Sequence, residues 1–191
     1  NYKYHHEYKE VFQQLFDKLK ELKPDIIVNT GDTAHTKSIL SPEYFNLTSW
    51  LFTSLAEIAP LHMILGNHDC NVKNSSRLDA ITPITEALED PNIHFHKHTK
   101  EVDLGENIVL SVLSILDQDK WSAPSDLNKT NIALYHGAVA GSKTDTGWIM
   151  EHGEIDLEFL ENFDYGLLGD IHRTNQIVDD HGKARYPGSL I

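Results

Sequence analysis

Leu61-His62-Met63-Ile64-Leu65-Gly66-Asn67-His68-Asp69 is a mostly apolar run that stops on a glycine and then presents an amide, an imidazole and a carboxylate. The run reads as a short buried strand, and three polar side chains straight after it make poor turn chemistry unless they are used. The same pattern stands upstream, where Asp25-Ile26-Ile27-Val28-Asn29-Thr30 leads into Gly31-Asp32-Thr33-Ala34-His35. Downstream it recurs twice: Asn131 to Tyr135 ends at His136-Gly137, and Tyr165-Gly166-Leu167-Leu168 runs into Gly169-Asp170-Ile171-His172. Four strands thus end in metal-capable side chains. In open α/β sheets, sites form outside the carboxyl ends of strands, where loops converge. Glycine beside a ligand lets the backbone approach an anion closely. Carboxylate, amide oxygen and imidazole together suit Mn2+, Fe or Zn2+ better than Ca2+ alone.

The surrounding pattern supplies the rest of a layered fold. Tyr8, Val11, Phe12, Leu15, Phe16, Leu19 and Leu22 recur at helical spacing and predict an amphipathic helix over 4–23, stopped by Pro24. Ser41-Pro42 is a cap with proline at the first helical position, and Tyr44, Leu47, Leu51, Leu55 and Ile58 give a second stripe closed by Pro60. A further helix is expected near 77–89. Strands then dominate: Asn92 to Leu104, Asn107 to Ile115 around a Gly105-Glu106 turn, and Asn131 to Tyr135, with 117–130 an exposed loop. A short helix over Asp156 to Asn162 precedes Tyr165 to Leu168, and a last hairpin joins Gln176–Val178 to Lys183–Tyr186. The β-α-β-α start and strand-rich second half predict an α/β/β/α sandwich of two sheets flanked by helices.

Composition narrows the function. The 191 residues are 40% hydrophobic, which excludes general disorder, and no apolar run approaches the length of a membrane span. Cys70 is the single cysteine, so no internal disulfide framework exists. Sixteen basic against 29 acidic residues give a net charge of −13, which repels polyanions. Twelve histidines accompany that charge, and together they point to bound cations as the source of positive charge.

The series Gly31-Asp32, Gly66-Asn67-His68-Asp69, His136-Gly137 and Gly169-Asp170-Ile171-His172 resembles that of calcineurin-like metallophosphoesterases. Within that superfamily the chain is most similar to SbcD-type nuclease subunits. The similarity rests on His35 three residues past Asp32, on the Gly-Asn-His-Asp cluster, and on Tyr186-Pro187-Gly188-Ser189. The resemblance runs from Asp25 to the last residue and implies a metallophosphoesterase (nuclease) catalytic domain over 1–191. It implies two divalent cations, Mn2+ first with Fe, Zn2+ or Mg2+ as alternatives. Asp32 would bridge them, Asn67, His136 and Asp170 would complete one, and His172 would belong to the other. His68 would stand by the scissile phosphate as general acid or charge stabiliser, with Asp69 orienting its ring, and His35 would contact the phosphate. DNA as substrate, an SbcC-like coiled-coil ATPase as partner, a homodimer, and the cytoplasm of a bacterial or phage-infected cell are further implications.

Two departures matter. The family's Asp-x-His is absent, since no aspartate precedes Asp17, so the first strand with its two ligands is expected before residue 1. A further carboxy-terminal DNA-capping region is expected to lie outside the chain. Asp170 replaces the first histidine of Gly-His-x-His, which retains a ligand and hardens the metal preference.

Weaker signals have plainer readings. His94, His96 and His98 alternate, which suits a solvated edge strand better than a surface metal site. Cys70 reads as a bystander, Trp121 as a loop anchor or a stacking surface, and the acceptor patterns at Asn46 and Asn128 as chance. Residues 141–180 hold ten acidic residues against Lys143 and Arg173, so DNA would need a grip from elsewhere. A phosphatase or small-molecule phosphodiesterase, and a non-catalytic scaffold on the same fold, are the competing readings.

Overall fold

The computed structural model describes residues 2–35, 40–144 and 146–190, with side chains from residue 6 onward. Helix α1 (Tyr2–Leu22) leads into strand β1 (Ile27–Asn29), helix α2 (Pro42–Ala56), strand β2 (Leu61–Ile64), helix α3 (Thr82–Leu88) and strand β3 (Ile93–His96). These strands form a parallel three-stranded sheet in the order β1-β2-β3. Strands β4 (Lys100–Gly105), β5 (Ile108–Leu113), β6 (Thr130–His136), β7 (Tyr165–Gly169), β8 (Gln176–Ile177) and β9 (Ala184–Tyr186), with helix α4 (Leu157–Leu160), complete the chain. The second sheet runs β4-β5-β6-β7-β9-β8. Its inner four strands are parallel, and β4 and β8 are antiparallel edges.

Side-chain alternation builds three apolar layers. Leu61, Met63 and Leu65 turn to the helices and meet Phe12, Phe16, Leu51, Phe52 and Leu55. The Phe16 ring stands edge-on to Trp50, their centroids 5.2 Å apart, and locks α1 onto α2. Ile64 turns the other way and joins Leu110, Val112 and Leu134 between the sheets. Leu168, Tyr186 and Ala184 pack outward against Leu160 and Phe163. Helix, sheet, sheet and helix therefore stack as the sequence predicts. Ser41 caps α2, its hydroxyl accepting from Tyr44 N at 3.2 Å, with proline next to it.

Three local expectations are corrected. The stretch from Asn92 to Leu104 is two strands in different sheets, because polar bonds at 97–99 pull the chain across. Ser114 Oγ donates to the Lys97 carbonyl at 2.7 Å, Thr99 N donates to Asp117, and Lys97 Nζ meets Asp79 at 2.8 Å. The helix expected from 77 starts at Thr82, because the Asp79 carboxylate accepts from Ile81 N and Thr82 N and stands as its cap. The alternating histidines do not share one solvated face. His96 is buried against buried His62, whose ring nitrogens meet at 3.0 Å, while His98 lies past the strand beside Asp117. Trp121 anchors its loop: Nε1 donates to the Ser114 carbonyl at 2.9 Å and the ring packs on Tyr135. Cys70 is buried in the helix-facing core.

Candidate metal centre

The parallel strands β1, β2, β6 and β7 deliver their ends to one rim. Ligand atoms of Asp32 and Asp170, on the turns after β1 and β7, and of His136, the last residue of β6, all lie within 4.8 Å of one another. His136 Nε2 is 3.4 Å from Asp32 Oδ1 and 3.7 Å from Asp170 Oδ1. Asn67 joins them, its amide donating to Asp170 Oδ1 at 3.1 Å. His68 stands at the mouth, exposed, its backbone N–H donating to Asp32 Oδ1 at 2.9 Å. His35 is exposed beside it, with the two rings stacked at 6.3 Å between centroids. His172 is exposed and its side chain is outside this group.

Backbone geometry shows how tightly the rim is built. Asp32 and Asp170 have φ of 57° and 92°, left-handed conformations that cost a non-glycine residue on the order of 1–3 kcal/mol. A Cβ on Gly66 would fall on the Asp32 carboxylate and backbone nitrogen, so only glycine lets these loops close. Asp69 is the knot between them. Fully buried, its carboxylate accepts from Asp32 N at 2.8 Å, Gly66 N at 2.8 Å and Ala34 N at 2.7 Å. The expectation that Asp69 orients the His68 ring is therefore corrected: its lone pairs face backbone donors, and the His68 ring is held instead by the His35 carbonyl, 2.9 Å from Nδ1. Burial pushes the Asp69 carboxyl up to about 6 against the opposing pull of the Ala34 and Gly66 N–H groups.

Tyr186 and its neighbours brace the other two loops. The Tyr186 hydroxyl donates to the Gly137 carbonyl at 2.7 Å and accepts from Val139 N at 2.9 Å, fixing the turn after His136. Ser189 N donates to the His172 carbonyl at 3.2 Å, tying down the turn after Asp170. A cavity of about 420 Å³ opens beside the group, lined by Asn67, His136 and Asp170 on its floor and by Val72, Ile115 and Met150 among its walls. Glu154 edges it, accepting from Tyr135 Oη at 3.0 Å and Gln118 Nε2 at 3.2 Å. No spacing signal marks Gln118, Glu154 or Met150; chain topology alone brings them here.

The pattern of the calcineurin-like phosphoesterase family matches residues 5–186. The chain belongs to that family. It is also 40% identical over 201 residues to the "Uncharacterized protein R555" of Acanthamoeba polyphaga mimivirus, an alignment covering 98% of this chain and 15% of that protein. Calcineurin-like phosphoesterases are metal-dependent hydrolases that generally bind two divalent metals.

The residues of this chain fit a cation. His136 Nδ1 is 2.7 Å from the Thr30 carbonyl, which can only accept, so the proton sits on Nδ1 and the Nε2 lone pair faces the carboxylates. Nε2 is buried and has no hydrogen-bond partner among the described residues. A lone pair between two anionic oxygens is repelled unless a positive charge stands among them. Ligand atoms about 2.1 Å from a shared ion lie about 3–3.5 Å from each other; the 3.4 Å of His136 to Asp32 falls in that range and the 3.7 Å to Asp170 just beyond it. Without an ion, a proton takes the place of the charge. Burial opposes protonation of His136, but Asp32, the Thr30 carbonyl and Asp170 outweigh it and raise the ring above the ordinary histidine range. Burial likewise works against the Asp32 anion, yet His136 and the His68 N–H hold that carboxyl below its usual value. The fit is for one ion; the resemblance pairs His172 with Asp32 around a second.

Proposed function

We propose that this domain hydrolyses phosphodiester bonds in DNA, as the nuclease core of an SbcD-type repair or recombination complex. The partner in this reading is an SbcC-like coiled-coil ATPase, which supplies the basic track that a chain of net charge −13 lacks. The observation that carries the chemistry is the buried His136 Nε2, outside hydrogen-bond geometry yet 3.4 Å from Asp32 and 3.7 Å from Asp170. His35 beside His68 and the Tyr186-Pro187-Gly188-Ser189 brace support the SbcD branch.

Asp32, Asn67, His136 and Asp170 would hold one cation, with Mn2+ as the preferred ion, and Asp32 with His172 would contribute to a second. Bound cations supply Lewis acidity toward the phosphoryl oxygens and a nucleophilic water at neutral pH. The chain's own groups do the rest. His68, exposed at the mouth and held by the His35 carbonyl, would give a proton to the leaving oxygen. His35 meets a phosphate oxygen and sets its orientation. Asp69 holds both loops still while this happens.

Mn2+-dependent cleavage of linear DNA by the full-length protein tests the proposal, and absence of cleavage with the metal present refutes it. The acidic surface favours a second reading, a phosphatase or small phosphodiesterase. Rapid turnover of p-nitrophenyl phosphate or a cyclic nucleotide with DNA untouched would establish that reading instead.

A further inference from the structure

Past His136 the chain builds a small arm at the edge of the metal centre. Gly141 N donates to the Met150 carbonyl, Met150 N to Ser142, and Thr144 N to Trp148, each at 2.8–2.9 Å, so 141–144 and 146–150 pair as the two arms of a hairpin, with Gly147 at positive φ. The arm is fastened to β8: Lys143 N donates to Gln176 Oε1 at 2.6 Å and Gln176 Nε2 donates back to the Lys143 carbonyl at 2.9 Å. Lys143 pairs with Ile149 across the hairpin, so Ser142, Thr144, Trp148 and Met150 share its other face. That face is the inner one. Ser142 is buried, and Met150 lines the cavity whose floor is His136 and Asp170. Trp148 continues the same face outward and leaves 67% of its surface in solvent, more than any described Phe, Tyr or other Trp.

We infer that Trp148 is a stacking platform for a nucleobase of the strand whose phosphodiester lies on the metal centre. The inference rests on the DNA reading above and adds a specificity-determining residue to it. Charge selects the occupant. Residues 141–180 carry ten acidic side chains against Lys143 and Arg173, so phosphate contacts in this quarter are repulsive. Stacking needs no cation: an indole face attracts any base, and each stacked base contributes enough to matter. A single-stranded or frayed strand presents such a face, whereas a paired base keeps both faces in its own stack. Met150, which shares the hairpin face of Trp148, lines the cavity together with His136 and Asp170.

The test compares steady-state cleavage by the full-length protein with Mn2+, using a short single-stranded oligonucleotide and a matched abasic one. Wild type is expected to show a KM about tenfold lower for the base-bearing strand. Trp148→Ala brings the two KM values together at unchanged kcat, and Trp148→Phe restores most of the difference. The wild-type fluorescence in excess of that of Trp148→Phe is quenched by the base-bearing strand alone. If neither strand is cleaved, the DNA reading falls and this inference with it. If both are cleaved with equal KM by wild type, or Trp148→Ala weakens both equally, DNA cleavage stands and the stacking role is overturned. Self-association lost in Trp148→Ala with the KM difference intact assigns the indole to a protein contact and overturns it as well.

Discussion

His62 on β2 and His96 on β3 meet between the two sheets, with Nδ1 and Nε2 3.0 Å apart. That contact needs one nitrogen as donor and the other as acceptor, so the accepting ring is neutral, and burial disfavours the charge on the other. Burial lowers His62 to about 4, helped by His94 stacked on it at 4.6 Å and by Lys100. Burial lowers His96 to about 3, with Lys100, His62 and His94 adding to the effect. In the unfolded chain both rings return to an ordinary value near 6.5. The sign follows. Folded values below unfolded ones mean that the unfolded state takes up protons first, so the stability of the neutral pair is complete above about pH 6.5 and is lost as pH falls toward 4 and 3.

A solution at pH 5 lies about 1.5 units below the unfolded value of each ring, which costs about 2 kcal/mol per ring, so the pair loses about 4 kcal/mol of folding free energy between pH 7 and 5. Against a typical total of about 5–15 kcal/mol this is a large share. Urea unfolding at the two pH values, run on wild type and on the double variant H62L/H96L, isolates the effect, because carboxylates such as Asp69 titrate in both proteins and cancel. Wild type should lose about 4 kcal/mol more than the double variant over that interval. Equal losses would refute the assignment of a buried neutral pair, whatever the absolute stability of the leucine protein.

Asp69→Ala strands three backbone N–H donors, and a drop of about 3 kcal/mol or more in unfolding free energy is expected by urea denaturation, with weaker Mn2+ binding. His136→Ala removes the imidazole between two carboxylates and should lower Mn2+ affinity by more than about 100-fold in isothermal titration, with far-UV circular dichroism unchanged. His68→Ala should cost about 100- to 10,000-fold in hydrolysis while metal binding is kept; unchanged hydrolysis would mean a scaffold. Gly66→Ala forces a methyl onto Asp32, so metal binding should fall further than thermal stability, as titration and melting curves on one sample would show.

Much of this architecture was written locally. The stripes of α1 and α2 and the strands at 61–64 and 165–169 need only near neighbours, and the glycine-flanked clusters at their ends announce the rim where Asp32, His136 and Asp170 meet. What stayed hidden depends on partners far along the chain. Between Phe95 and Val102 the apolar phase shifts by one residue through a polar stretch that carries no turn signal, and Ser114 and Asp117, brought in by β5, turn the segment from one sheet to the other. Asp69 sits next to His68 in sequence and so invites a role on its ring; its donors are 35 and 37 residues away at Ala34 and Asp32, and they decide its orientation. His62 falls in the apolar run used to identify β2, and its meaning emerges only when β3 sets His96 beside it. The same asymmetry governs Trp148: an exposed indole in a polar loop carries no periodic signal, and it gains a chemical role from the hairpin face it shares with Met150 at the cavity wall. Local pattern therefore locates the reaction centre, while the choice of what is held against it is made by contacts across the chain.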